Sequence, residues 1–124
     1  MSNIRVLLVD DEEELVSTLA ERLEFRGISA AYAIDGKSAL KMLRDTDFDV
    51  IVIDMKLPGM SGDDLLNTVN LSYPGLPALM VTGHGSVEQG EYRKPDGAYD
   101  FLLKPVDISL LITKIKEAIA AHES

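Results

Sequence analysis

Apolar residues along this chain follow two rhythms that alternate five times. Short, nearly continuous apolar runs at 4–9, 28–33, 50–53, 78–81 and 99–103 have strand length, and three of them are rich in Val and Ile. Helical spacing fills the intervals. Leu15, Leu19 and Leu23 recur every four residues with Val16 and Ala20 widening the stripe, and Asp11 and Glu14 stand at capping-box spacing before it. Gly27 is placed for a left-handed helix end. A second stripe, Ala39, Leu40 and Leu43, follows Asp35-Gly36. A third, Leu65, Leu66 and Val69, is stopped by Pro74. The last covers Leu110, Leu111, Ile115, Ala118 and Ile119, with Asp107 and Ser109 as candidate caps.

Strands alternating with helices of this length predict an α/β fold: one doubly wound, five-stranded parallel sheet carrying five helices. The fourth helical slot, 86–96, is the weak element. It contains Gly90, which costs about 1 kcal/mol against Ala in a helix interior, and Pro95, and its apolar residues are only Val87 and Tyr92. A short or mobile helix is expected there.

Composition narrows the field. The 124 residues suffice for one domain with a real core and are too few for two. Twenty-one acids against twelve bases give a net charge of −9, which would repel nucleic acid and favours a divalent cation or a basic protein surface. There is no cysteine, so a disulfide framework and a thiolate metal site are both excluded. No apolar run approaches the length of a membrane span, and no basic, apolar leader precedes the first run. A cytoplasmic protein is expected.

Chemistry collects where the apolar runs end. Asp10 and Asp11 follow the first, Asp54 the third, Thr82 the fourth and Lys104 the fifth. In an open parallel sheet, ligands bind beyond these carboxyl ends. Three carboxylates in one crevice repel unless a cation intervenes, and hard oxygen ligands suit Mg2+. A carboxylate kept ionised in this way can attack phosphorus and form an acyl phosphate, with Lys104 and the Thr82 hydroxyl available to the phosphoryl oxygens. Glu12, Glu13 and Glu14 read instead as a solvated helix start favoured by the helix dipole.

Four segments carry a family resemblance over essentially the whole chain. They are Val6-Leu7-Leu8-Val9-Asp10-Asp11, Val52-Ile53-Asp54-Met55-Lys56-Leu57-Pro58-Gly59-Met60-Ser61-Gly62, Val81-Thr82-Gly83-His84-Gly85 and Gly97-Ala98-Tyr99-Asp100-Phe101-Leu102-Leu103-Lys104-Pro105. In that order they resemble the receiver domains of two-component response regulators, with residues 1–124 as one such domain. The strand order 2-1-3-4-5 is implied by this resemblance and not by periodicity. The resemblance also implies Asp54 as phospho-acceptor and Mg2+ held by Asp11, Asp54 and the Lys56 backbone carbonyl, with Asp10 acting through a coordinated water. Lys104 would pair with the phosphoryl group and Thr82 would turn toward it. Phe101 matches the switch aromatic, His84 a position that tunes acyl-phosphate lifetime, and the Lys104-Pro105 bond is expected to be cis.

The resemblance implies a signalling domain that catalyses only its own phosphorylation and dephosphorylation. Its partners would be a histidine kinase or phosphotransfer protein, a downstream effector domain or target protein, and a second copy in a homodimer. Gly90, Glu91 and Pro95 depart from the family's apolar helix pattern, which argues against dimerisation through that face. A Mg2+-dependent phosphatase would use the same chemistry but lacks an insertion long enough for a substrate cap. A flavodoxin-like cofactor binder is opposed by the acidic first loop and the missing glycine-rich phosphate loop. The Met1 start suits a stand-alone receiver or the amino-terminal piece of a longer regulator.

Overall fold

In the computed structural model the described residues are 3–83 and 96–123. The apolar runs form strands β1 (Arg5–Val9), β2 (Ser29–Ala33), β3 (Val50–Asp54), β4 (Ala78–Thr82) and β5 (Asp100–Leu103). All neighbours pair in parallel, in the order β2-β1-β3-β4-β5. The third and fourth strands each run one residue further than the apolar pattern, so Asp54 and Thr82 are strand residues held by the ladder.

Helices α1 (Glu13–Phe25), α2 (Gly36–Asp45), α3 (Gly62–Ser72) and α4 (Ile108–Glu123) complete the described elements. The helix expected over 86–96 falls outside the described residues except for Asp96. Side chains alternate between the two faces of the sheet, as the pleat requires. Val6, Leu8, Val50, Val52, Leu79, Val81 and Leu102 face one way and pack against α1 and α4. Leu7, Val9, Ile51, Ile53, Ala78 and Met80 face the other way and pack against α2 and α3. Covering on both sides explains why the central strands read as unbroken apolar runs.

Three local expectations change. The capping box of Asp11 and Glu14 does not form: the helix begins at Glu13, its cap position is Glu12, and no side chain caps it. The Asp10 Oδ1 atom instead accepts the Glu12 N–H at 2.9 Å, an Asx-type turn that consumes the chain before helix can start. On α1 the buried stripe is Val16, Ala20 and Leu23, whereas Leu15 is 51 % exposed. On α4 it is Ile108, Leu111, Ile115 and Ala118, leaving Leu110 outside. Asp35 caps α2 through the Ser38 N–H (2.7 Å), Ser61 caps α3, and Asp107 accepts from Ser109 N–H at the start of α4. Gly27 takes φ +81°, as a left-handed helix end requires.

Candidate functional site

The carboxyl ends of β1, β3, β4 and β5 converge on one cleft of about 490 Å³, lined among the described residues by Asp11, Glu12, Asp54, Met55, Lys56, Thr82, Gly83 and Lys104. Asp54 is 5 % exposed and sits on the central strand. Its backbone is fixed from both sides: Ile53 pairs with Val9 of β1, and the Met55 N–H donates to the Val81 carbonyl at 2.9 Å. Its two oxygens have different partners. Oδ1 accepts the Lys56 N–H at 3.1 Å, and Oδ2 accepts from the Lys104 ammonium at 2.8 Å.

Asp10, Asp11 and Asp54 each offer an oxygen, and all three oxygens lie within 4.8 Å of one another. Such a set suits a small, hard divalent cation in size and donor type. Burial raises the proton affinity of Asp10, and the Asp54 charge adds to that, against the Glu12 N–H and the Lys104 ammonium. A cation would relieve that strain.

Lys104 leaves β5 at a cis Lys104-Pro105 bond, and its N–H donates to the Thr82 carbonyl at 2.9 Å. Its ammonium contacts Asp54 Oδ2 (2.8 Å), Glu12 Oε1 (3.0 Å) and Asp10 Oδ2 (3.3 Å). Burial alone would favour the neutral amine. The hydrogen bonds to Asp54 and Glu12, with the charges of Asp54 and Asp10, outweigh it and hold the lysine firmly protonated. Thr82 is 3 % exposed and lines the cleft. Phe101 is partly buried and pairs in register with Met80, two residues before Thr82 and so on the same sheet face. The structure therefore brings Asp10, Asp11, Asp54, Lys56, Thr82 and Lys104 to one place, with Phe101 one pair deeper. His84 lies outside the described residues.

Two residues here had no sequence signal of their own. Glu12, read as a solvated helix start, reaches Lys104. Gly62 opens α3 directly beneath the acceptor strand, where an added β-carbon would overlap the Asp54 carbonyl oxygen and lie 2.7 Å from Met55 Cα. Glycine lets the helix seat against the backbone that carries Asp54.

The model of the response regulator receiver domain matches residues 6–116, and this chain belongs to that family. A putative NtrX-like response regulator of Rickettsia bellii is 33 % identical over 120 residues, covering 95 % of this chain and 25 % of that protein. The transcriptional regulatory protein ZraR of Escherichia coli is 32 % identical over 122 residues, 98 % of this chain and 28 % of its own length. The chain thus spans about a quarter of these regulators. Among solved structures, a CheY-like receiver domain protein of Methanospirillum hungatei superposes with TM-score 0.86 at 33 % identity, covering 98 % of both chains. The receiver domain of NtrX from Brucella abortus gives 0.81 at 33 % identity, over 93 % of this chain and 98 % of that one.

Proposed function

We propose that residues 1–124 form a receiver domain acting as a phosphorylation-driven switch, with Asp54 as the acceptor. The observation that carries this reading is the acceptor's setting. A buried carboxylate stands on the central strand, one oxygen on a backbone N–H and the other on a lysine, inside a triad of acids at the sheet end. A carboxylate oxygen of Asp54 forms the new P–O bond as the P–N bond to a donor histidine breaks, and the imidazole leaves with the electron pair. Asp10, Asp11, Asp54 and the Lys56 carbonyl would hold Mg2+, which supplies the positive charge that lets the acids stay ionised beside an incoming phosphoryl group.

Lys104 then pairs with the phosphoryl oxygens, and the Thr82 hydroxyl donates to one of them. Phe101, on the same face as Thr82, adjusts to its movement and passes the change to the β4–β5 side of the domain. His84, two residues after Thr82, sets how readily water reaches the acyl phosphate. The donor is a histidine kinase or phosphotransfer protein, and the output goes to an effector domain or target protein, with homodimerisation as one form of it. No helix among the described residues is long and apolar enough to cross a membrane. A cytoplasmic setting goes with this reading.

The test is intact mass after incubation with acetyl phosphate, with and without Mg2+, for wild type and Asp54→Asn. One base-labile phosphoryl adduct that needs Mg2+ and disappears in the variant is expected. Continuous phosphate release with rapid turnover, or no adduct in any condition, overturns the reading.

A further inference from the structure

Glu12 closes a ring with Asp10 and Lys104. Its N–H donates to Asp10 Oδ1 at 2.9 Å, which fixes where its side chain starts. Its Oε1 accepts from the Lys104 ammonium at 3.0 Å, and that ammonium also contacts Asp10 Oδ2 at 3.3 Å. With Asp54 as the third contact, the ammonium faces three carboxylates. The ammonium donates hydrogen bonds to Glu12 and Asp54, and Asp10 adds an ion pair, so two of its three protons are engaged.

A phosphoryl group arriving at Asp54 therefore competes with Glu12 for the same ammonium. Asp54 gives up its own charge when its oxygen is phosphorylated, and Asp10 belongs to the acid triad. Glu12 lies outside that triad and its side chain is 60 % exposed, against 14 % for Asp10 and 7 % for Asp54. Release of Glu12 into water costs least. Its charge also stands one ammonium group away from Asp54, where a phosphoryl group would add negative charge.

Resting on the acceptor reading above, we infer that Glu12 is a positioning residue. It holds Lys104 in the unphosphorylated arrangement and opposes phosphoryl arrival until it lets go. The bridge between Glu12 and Lys104 also stands between two clefts, since both residues line the acceptor cleft and the neighbouring groove of Leu15, Leu19, Pro105 and Val106. Letting go frees the lysine proton that Glu12 holds.

Glu12→Gln keeps the side-chain length and removes the charge. Two readouts are needed, both on the full chain with Mg2+. The first is the rate of adduct formation from acetyl phosphate, expected to rise threefold or more over wild type. The second is the 15Nζ resonance of Lys104, observed with no phosphodonor present and expected to move in Glu12→Gln. A wild-type adduct that forms no faster in Glu12→Gln overturns the inference while leaving Asp54 as acceptor. An unmoved 15Nζ resonance overturns it whatever the adduct does. Absence of any adduct on wild type overturns the acceptor reading, and this inference with it.

Discussion

Both oxygens of Asp54 have donors, one a backbone N–H and the other a lysine ammonium. The Lys56 N–H belongs to the loop leading into α3, and α3 can approach only because position 62 has no side chain. Gly62→Ala is therefore expected to destabilise the domain by roughly 1–3 kcal/mol, since the clash is with backbone that cannot rotate away. Urea denaturation measures it, and adduct formation at Asp54 should slow in the same variant. Thr82→Val is the contrasting case. It keeps the shape of the buried side chain but exchanges its hydroxyl for a methyl group, so stability should shift by on the order of 1 kcal/mol. Under the proposed role, the phosphorylated variant should fail to shift the Phe101 resonances that move in wild type. Retained shifts in Thr82→Val would refute that role.

At the scale of elements, helix starts were only partly legible. Asp35 before Gly36 announced α2, and its side chain does cap that helix. Asp11 and Glu14 announced a start that the chain does not use, because the Asp10 carboxylate captures the Glu12 N–H first. Local spacing cannot reveal a competitor whose position is set by the end of a buried strand. The same limit affected the stripes. Leu15 and Leu110 lie on plausible helical faces, but the face that is buried depends on where the helix meets the sheet, and both remain exposed. Strand positions fared better, since every run was placed to within a residue. Covering on both faces leaves the sequence little freedom there.

The α2 cap also predicts a pH dependence. Hydrogen bonding to the Ser38 N–H lowers the Asp35 pKa below its ordinary 3.8. A depressed carboxyl pKa gives stability that is fully present above the unfolded value and is lost as pH falls through the folded one. Asp35→Ala should thus cost about 1 kcal/mol near pH 7. The difference from wild type should shrink as pH falls through the lowered Asp35 pKa, because the neutral carboxyl is a weaker acceptor. Parallel urea titrations across pH 2–7 would show it, and a constant offset would argue against the cap as its origin.

For the whole molecule, the polar cluster at the sheet end was legible because Asp10, Asp54, Thr82 and Lys104 each directly follow an apolar run. What the sequence could not supply was pairing between distant polar groups, such as Glu12 with Lys104, 92 positions apart. The acid triad further predicts linkage between cation binding and stability. A cation held only by the folded state adds about 1.4 kcal/mol at ten times its dissociation constant, raising Tm by roughly 4–8 °C. Thermal melts with and without Mg2+ test this, and Asp11→Asn should lose most of the shift. An equal shift in that variant would place the cation elsewhere.

The sheet order gives this site a built-in direction. Asp54 rides on β3, which has partners on both sides, whereas Phe101 lies in β5 and Lys104 directly follows it, and among the described residues β5 pairs only with β4. A strand held along both edges resists displacement, and one held along a single edge opens at lower cost. Under the proposed function, a change at the anchored centre should therefore be taken up at this edge, which carries Phe101 and leads into Lys104. Under that reading the domain works as a vice with one fixed jaw, and a partner that senses the reaction should be found against the β5 edge.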